Sequence, residues 1–160
     1  MRARIVGVAF VLGLAAVGVA TAGMNGHWGT HPTGDGEVPP NGSQAQAQAN
    51  FKLSKDGSSL SYRLNVANIE NVLQAHIHMA RAGVNGPIVA WLYPGSPPAR
   101  LIPGRSSGTL GEGTITAASL VGPLAGQPLS ALVNAIDSSN AYVNVHTTQF
   151  PPGEIRGNLP

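Results

Sequence analysis

The chain contains no cysteine. That absence excludes a disulfide framework, a thiolate zinc site and a cysteine nucleophile. Charged residues are also scarce, at 10% of the sequence. A helical bundle laced by surface ion pairs is a poor match to so few charges, whereas 21 glycines and 13 prolines suit a turn-rich β chain. With 160 residues there is room for one domain with a useful core, and none for a second.

The one long apolar run lies at the start. Arg2 and Arg4 precede Ile5–Ala20, and Ala20-Thr21-Ala22 offers the small-x-small pattern of a signal-peptidase site. Residues 1–22 are therefore read as a secretory signal, which places the protein outside the cytoplasm: secreted, periplasmic or at the cell surface. A retained anchor is the rival, because the run is just short of the roughly 18 residues of a membrane span. Cleavage removes two of the nine basic residues and no acid, leaving seven against seven, so the formal charge falls from +2 to zero. No basic tract remains to attract nucleic acid or an anionic membrane.

Residues 23–36 are rich in Gly, Thr and His and read as a flexible lead-in, with His27 and His31 as solvated tail residues. Glu37-Val38-Pro39-Pro40 forces extended backbone. From Ala45 to Ser54 small or apolar residues alternate with polar ones, and the alternation resumes at Leu60, Tyr62, Leu64 and Val66 after the Asp56-Gly57 turn. This pattern predicts a β-hairpin. Asn68–Asn71 reads as a break before a separate strand that ends at Met79. Ile88–Tyr93 is expected as a buried return strand, Pro94–Arg105 as a loop, and Thr109–Ile115 as a strand interrupted by Gly111 and Gly113. A short turn of helix is expected over Thr116–Leu120. Leu129, Leu132, Val133 and Ile136 repeat at helical spacing after Pro128, which can occupy a first-turn position. Tyr142–Thr147 and Glu154–Leu159 close the chain as strands. The fold class expected is mainly β: an antiparallel sandwich or flattened barrel with one short inserted α-helix.

Chemistry concentrates on two of these strands. Alternation puts His76 and His78 on one face of their strand, opposite Ala75, Ile77 and Met79, and puts His146 on the face of its strand shared with Tyr142 and Asn144. Two readings stand. Three imidazoles from neighbouring strands can ligate copper or zinc. Alternatively, they are structural residues whose hydrogen bonds are satisfied by Glu37, Glu154, Asn144 or the backbone. Glu37, Asn85, Glu154 and Arg156 are further candidates for partner binding or structure. Glu154 and Arg156 share a strand face, where a solvated ion pair is expected. Trp91 and Tyr93 are expected to pack. No Gly-x-Ser-x-Gly elbow supports a serine triad.

Glu37-Val38-Pro39-Pro40, Leu60–Leu64, Ala75-His76-Ile77-His78, Asn85–Val89, Tyr142–Thr147 and Pro152–Gly157 occur in an order that resembles CHRD domains, the modules named after the repeats of chordin. The resemblance spans roughly residues 31–160, with the domain itself placed at 37–160. It implies an exported β module of the stand-alone, microbial type that acts as an extracytoplasmic binding or matrix protein, with a protein or matrix partner it does not name. The cysteine-rich modules that accompany CHRD repeats in chordin are missing, so growth-factor antagonism does not carry over. A His-x-His pair with a distant third histidine is also similar, by analogy, to copper ligation in Cu,Zn superoxide dismutases. The cluster that would bridge to a second metal there has no counterpart here. Sequence alone thus supports a non-enzymatic module, with a copper or zinc carrier or a dismutase-like enzyme as the alternative.

Overall fold

Gln46, Gln48, Asn50 and Lys52 are exposed while Ala47, Ala49 and Phe51 are buried, and this alternation defines a strand with one face on the core. The computed structural model describes residues 26–160; the expected signal, residues 1–22, lies outside them. The strands are β1 (His27–Thr30), β2 (Gln46–Leu53), β3 (Leu60–His78), β4 (Ile88–Tyr93), β5 (Ile102–Ile115), β6 (Tyr142–Thr147) and β7 (Ile155–Asn158). The helix α1 (Leu129–Asp137) precedes β6. All strand pairings are antiparallel, and Thr33 bridges both Gln46 and Arg156, so that β7 nearly meets β2 and the sheet nearly closes as a flattened barrel.

The expected hairpin is formed by β2 and β3, in register from Gln46↔Ala67 to Leu53↔Leu60. Its turn is held by Asp56, whose Oδ1 accepts from Ser54 Oγ at 2.6 Å and from the Ser58 amide at 3.1 Å, with Gly57 at φ +71°. The helix also forms where expected. It buries Leu129, Leu132, Val133 and Ile136, and Pro128 stands just before it, with extended backbone, as its N-cap.

Three expectations need correction. First, there is no break at Asn68–Asn71, because β3 runs unbroken for 19 residues. Asn68 and Asn71 take φ values of 56° and 52°, a region that asparagine tolerates better than most side chains, and the ladder shifts register around them. Second, the lead-in is not loose from His27 onward. β1 pairs along β2, and Trp28 and Thr30 turn inward. The Trp28 indole donates to Asp137 Oδ1 at 2.9 Å, tying β1 to the end of α1. Third, β5 begins at Ile102 inside the expected loop and is not interrupted by its glycines. A Cβ at Gly111 would stand 2.5 Å from the Leu92 carbonyl oxygen, so this glycine permits close approach to β4.

The bulges in β3 decide which way its side chains face. Leu60, Tyr62, Leu64 and Val66 are buried at even positions, but the inward set then steps by odd intervals to Ile69, Val72 and Ala75 before ending at Ile77. Register shifts accompany each odd step, between Val66 and Ile69, Glu70 and Val72, and Val72 and Gln74. A one-residue shift exchanges the two faces of a strand. Three exchanges put His76 and His78 on the face away from Ile77, although they share the parity of Leu60.

Candidate metal centre

The first half of β3 pairs with β2 and β5, and the second half lies between β4 and β6. Across that second half His76 faces Asn144 on one side and Trp91 on the other, His78 faces Tyr142, and His146 faces Gln74. His146 is thus a diagonal neighbour of His76, within reach of its ring. His76, His78 and His146 are 0%, 8% and 6% exposed, and each offers a ring nitrogen within 4.8 Å of the others.

Backbone carbonyls orient two of the rings. His78 Nδ1 lies 2.9 Å from the Gly86 oxygen, and His146 Nδ1 lies 2.9 Å from the Pro151 oxygen. A carbonyl only accepts, so both Nδ1 atoms carry the proton and both Nε2 atoms carry a lone pair when the rings are neutral. His146 Nε2 stands 3.2 Å from His76 Nδ1. If His76 donates there, its own Nε2 is a second lone pair. His76 Nε2 and His78 Nε2 are both buried with no hydrogen-bond partner.

Burial keeps the rings neutral. His76 is pushed down to about 3 from an ordinary 6.5, first by loss of solvent and then by the neighbouring His146 and His78. His78 is lowered to about 4, mainly by burial against the raising effect of the Gly86 carbonyl, and His146 is lowered by burial as well. A proton is therefore an unfavourable occupant of the space the lone pairs share. The three rings offer ligand nitrogens that all lie within 4.8 Å of one another, a spacing a metal ion can close; the 3.2 Å between His76 Nδ1 and His146 Nε2 is the contact between the rings themselves. A hydrogen-bonded Nδ1 with a free Nε2, as at His78, is the usual outer support of a metal-binding imidazole.

Of the partners expected for the histidines, Glu37, Glu154, Asn144 or the backbone, the backbone serves His78 and His146, and neither carboxylate bonds to a ring. Glu37 instead accepts from Asn144 Nδ2 at 3.1 and 3.2 Å, and Glu154 accepts from Ser43 Oγ at 2.6 Å and Thr147 Oγ1 at 2.7 Å. Burial raises the Glu37 carboxyl, opposed by the Asn144 bond and the charge of Arg156. The expected solvated pair of Glu154 and Arg156 also gives way to two buried groups with separate partners; among the described residues the ion pair found is Arg63–Glu112. Arg156 donates to Asn85 Oδ1 at 3.0 Å and to the Val84 oxygen at 2.8 Å, while Asn85 Nδ2 donates to the Val38 oxygen at 2.9 Å. These bonds latch Glu37–Ser43 and the Val84–Gly86 loop over the histidine face. His27 and His31 are exposed and stand apart from the cluster.

Sequence reasoning placed Tyr142 beside His146 without giving it a role, and it missed Gly153. Tyr142 stacks on His78, with centroids 4.9 Å apart and planes at 13°, and its hydroxyl accepts from the Gly86 amide at 3.0 Å. Gly153, at φ +141°, leaves no space for a side chain: a Cβ would lie 2.4 Å from Asn144 Oδ1 and 2.5 Å from Glu37 Oε1. Tyr142 was identifiable as a face-mate of His146; Gly153 was one turn glycine among many.

An antiparallel, nearly closed barrel with a buried three-imidazole cluster on the outer side of one sheet defines the class of protein. The chain belongs to the CHRD-domain family, whose model matches residues 29–159. No curated protein and no solved structure matches it.

Proposed function

We propose that this chain is an exported, non-enzymatic CHRD module that holds one transition-metal ion, copper or zinc, on His76, His78 and His146. One observation carries the reading: His76 Nε2 and His78 Nε2 are buried without a partner, in a cluster where carbonyls already hold Nδ1 of His78 and His146. An unpaired buried polar atom costs about 1–3 kcal/mol, and ligation removes that cost. The near-complete burial of the three rings favours a carrier, store or matrix component over a catalyst that must admit substrate. Export is supported by the apolar run behind Arg2 and Arg4 and by the extracellular habit of CHRD domains. Among the described residues no helix is long and apolar enough to cross a membrane. The partner is an extracytoplasmic protein or matrix component.

Metal content and copper and zinc titration of the purified protein, beside a His76→Ala/His78→Ala double variant, test this. Tight binding lost in the variant supports the site; equal affinities refute it. A superoxide assay on copper-loaded protein separates the carrier from a dismutase-type enzyme.

A further inference from the structure

Building on the metal site above, the charge around the cluster points to the kind of ion it takes. The three ligands are neutral imidazoles, and among the described residues no carboxylate joins the cluster. Against it lies a buried cation, Arg156, which is 1% exposed. Its Cζ sits 3.5 Å from the centre of the Tyr142 ring, and that ring stacks on His78, so that guanidinium, phenol and imidazole form three successive layers. The acceptors that hold the guanidinium, Asn85 Oδ1 and the Val84 oxygen, are both neutral. Glu37 is the acid that feels its charge: burial raises that carboxyl, and the Asn144 bond and Arg156 lower it.

Taking an ion out of water costs free energy that grows with the square of its charge, so a dication loses about four times what a monocation loses. Neutral ligands return none of that loss as charge neutralisation. A fixed cation across one aromatic ring adds a repulsion, twice as large for a divalent ion and little screened in a buried setting. Three nitrogens also suit cuprous copper without a fourth ligand, whereas zinc seeks four.

We propose that the His76–His78–His146 cluster is a site for monovalent copper, and that Arg156, acting through Tyr142, is the positioning residue that disfavours divalent ions there. Its bonds to Val84 and Asn85 also hold the loop whose Gly86 carbonyl orients His78.

The test is an anaerobic titration of the metal-free full chain with Cu(I) against a cuprous chelator, and with Zn(II) against a zinc-responsive dye. The expected result is Cu(I) binding at least about tenfold tighter than Zn(II) in the wild type, with the ratio reduced about tenfold in Arg156→Met and preserved in Arg156→Lys. A wild-type preference below that, or equal reduction of the ratio in both variants, overturns the inference. If Arg156→Met does not fold, the wild-type ratio still decides, together with X-ray absorption at the copper edge: three nitrogen neighbours support the proposal and four-coordinate copper contradicts it. Binding abolished in His76→Ala/His78→Ala but without monovalent preference sinks this proposal alone. Failure of either ion to bind the wild type sinks the metal reading itself.

Discussion

His76 Nδ1 and His146 Nε2 stand 3.2 Å apart although 70 residues separate them in the chain. Two strands bring them together, and two carbonyls from loops beyond those strands, at Gly86 and Pro151, fix which nitrogens of His78 and His146 carry the lone pair. The site is thus assembled from ladder register and loop backbone, and among the described residues no carboxylate joins the cluster.

Metal binding to the folded state should raise its stability. Zinc or copper present at about 100 times its dissociation constant adds about 2.7 kcal/mol, a rise in melting temperature of about 10 °C for a domain of this size. Calorimetric melts with and without chelator measure it. An unchanged melt under saturating metal contradicts a native-state site.

In the metal-free protein, stability should fall as the solution is acidified below pH 6.5. His76 and His78 are depressed in the fold to about 3 and about 4, so the unfolded chain takes up protons first. Their contribution is complete above 6.5 and is lost progressively as pH falls, down to about 4 for His78 and about 3 for His76, at about 1.4 kcal/mol for each unit of depression. Arg156, packed over Tyr142, adds to the depression of His78. Glu37 has the opposite sign: its raised carboxyl destabilises the fold as pH rises past its ordinary 4.5, so acidification relieves it slightly. Urea midpoints measured from pH 7.5 to 4.5 should decline; a flat profile between 6.5 and 5 would falsify the prediction.

Asn71 should tolerate glycine better than a β-branched residue. Both substitutions lose its 2.8 Å bond from the Gly104 amide, but only valine must also be forced to φ 52°. Asn71→Val is expected to be less stable than Asn71→Gly by about 1–3 kcal/mol, read from paired denaturant melts. Equal stabilities would mean that the bulge is not set by backbone conformation.

Trp28 distinguishes a structural β1 from a loose lead-in. Removing its side chain deletes core contacts and the bond to Asp137, so Trp28→Ala should destabilise the fold by about 3–5 kcal/mol. A loss below about 0.5 kcal/mol, the range of ordinary surface changes, would show that His27–Thr30 contributes little in solution.

Much of the architecture was legible from local pattern. The Ala/Gln alternation of β2, the Asp56-Gly57 turn and the Leu129–Ile136 periodicity each encode their element through side-chain spacing, because period and burial are coupled along a single strand or helix. The histidine candidates were legible for the same reason, as face-mates within a strand. Less legible were features that depend on a second segment. The alternation of Trp28 and Thr30 is too short to signal a strand until β2 offers its edge. Glu154 and Arg156 looked like surface charges until Ser43 and the Val84–Asn85 loop closed on them.

By itself, then, the sequence determined the β class, the hairpin, the helix, the family and the histidine face-pairs, all of which follow from spacing and motif order. Only the tertiary structure decided that β3 runs through Asn68 and Asn71, with register shifts that reverse its faces before His76. It also decided that His78 and His146 spend their Nδ1 protons on carbonyls, and that a buried Arg156 stands one ring away. The reason is physical: the facing of a bulged strand, the tautomer of an imidazole and the charge around a site depend on groups distant in sequence, whose positions are set only when the strands pair.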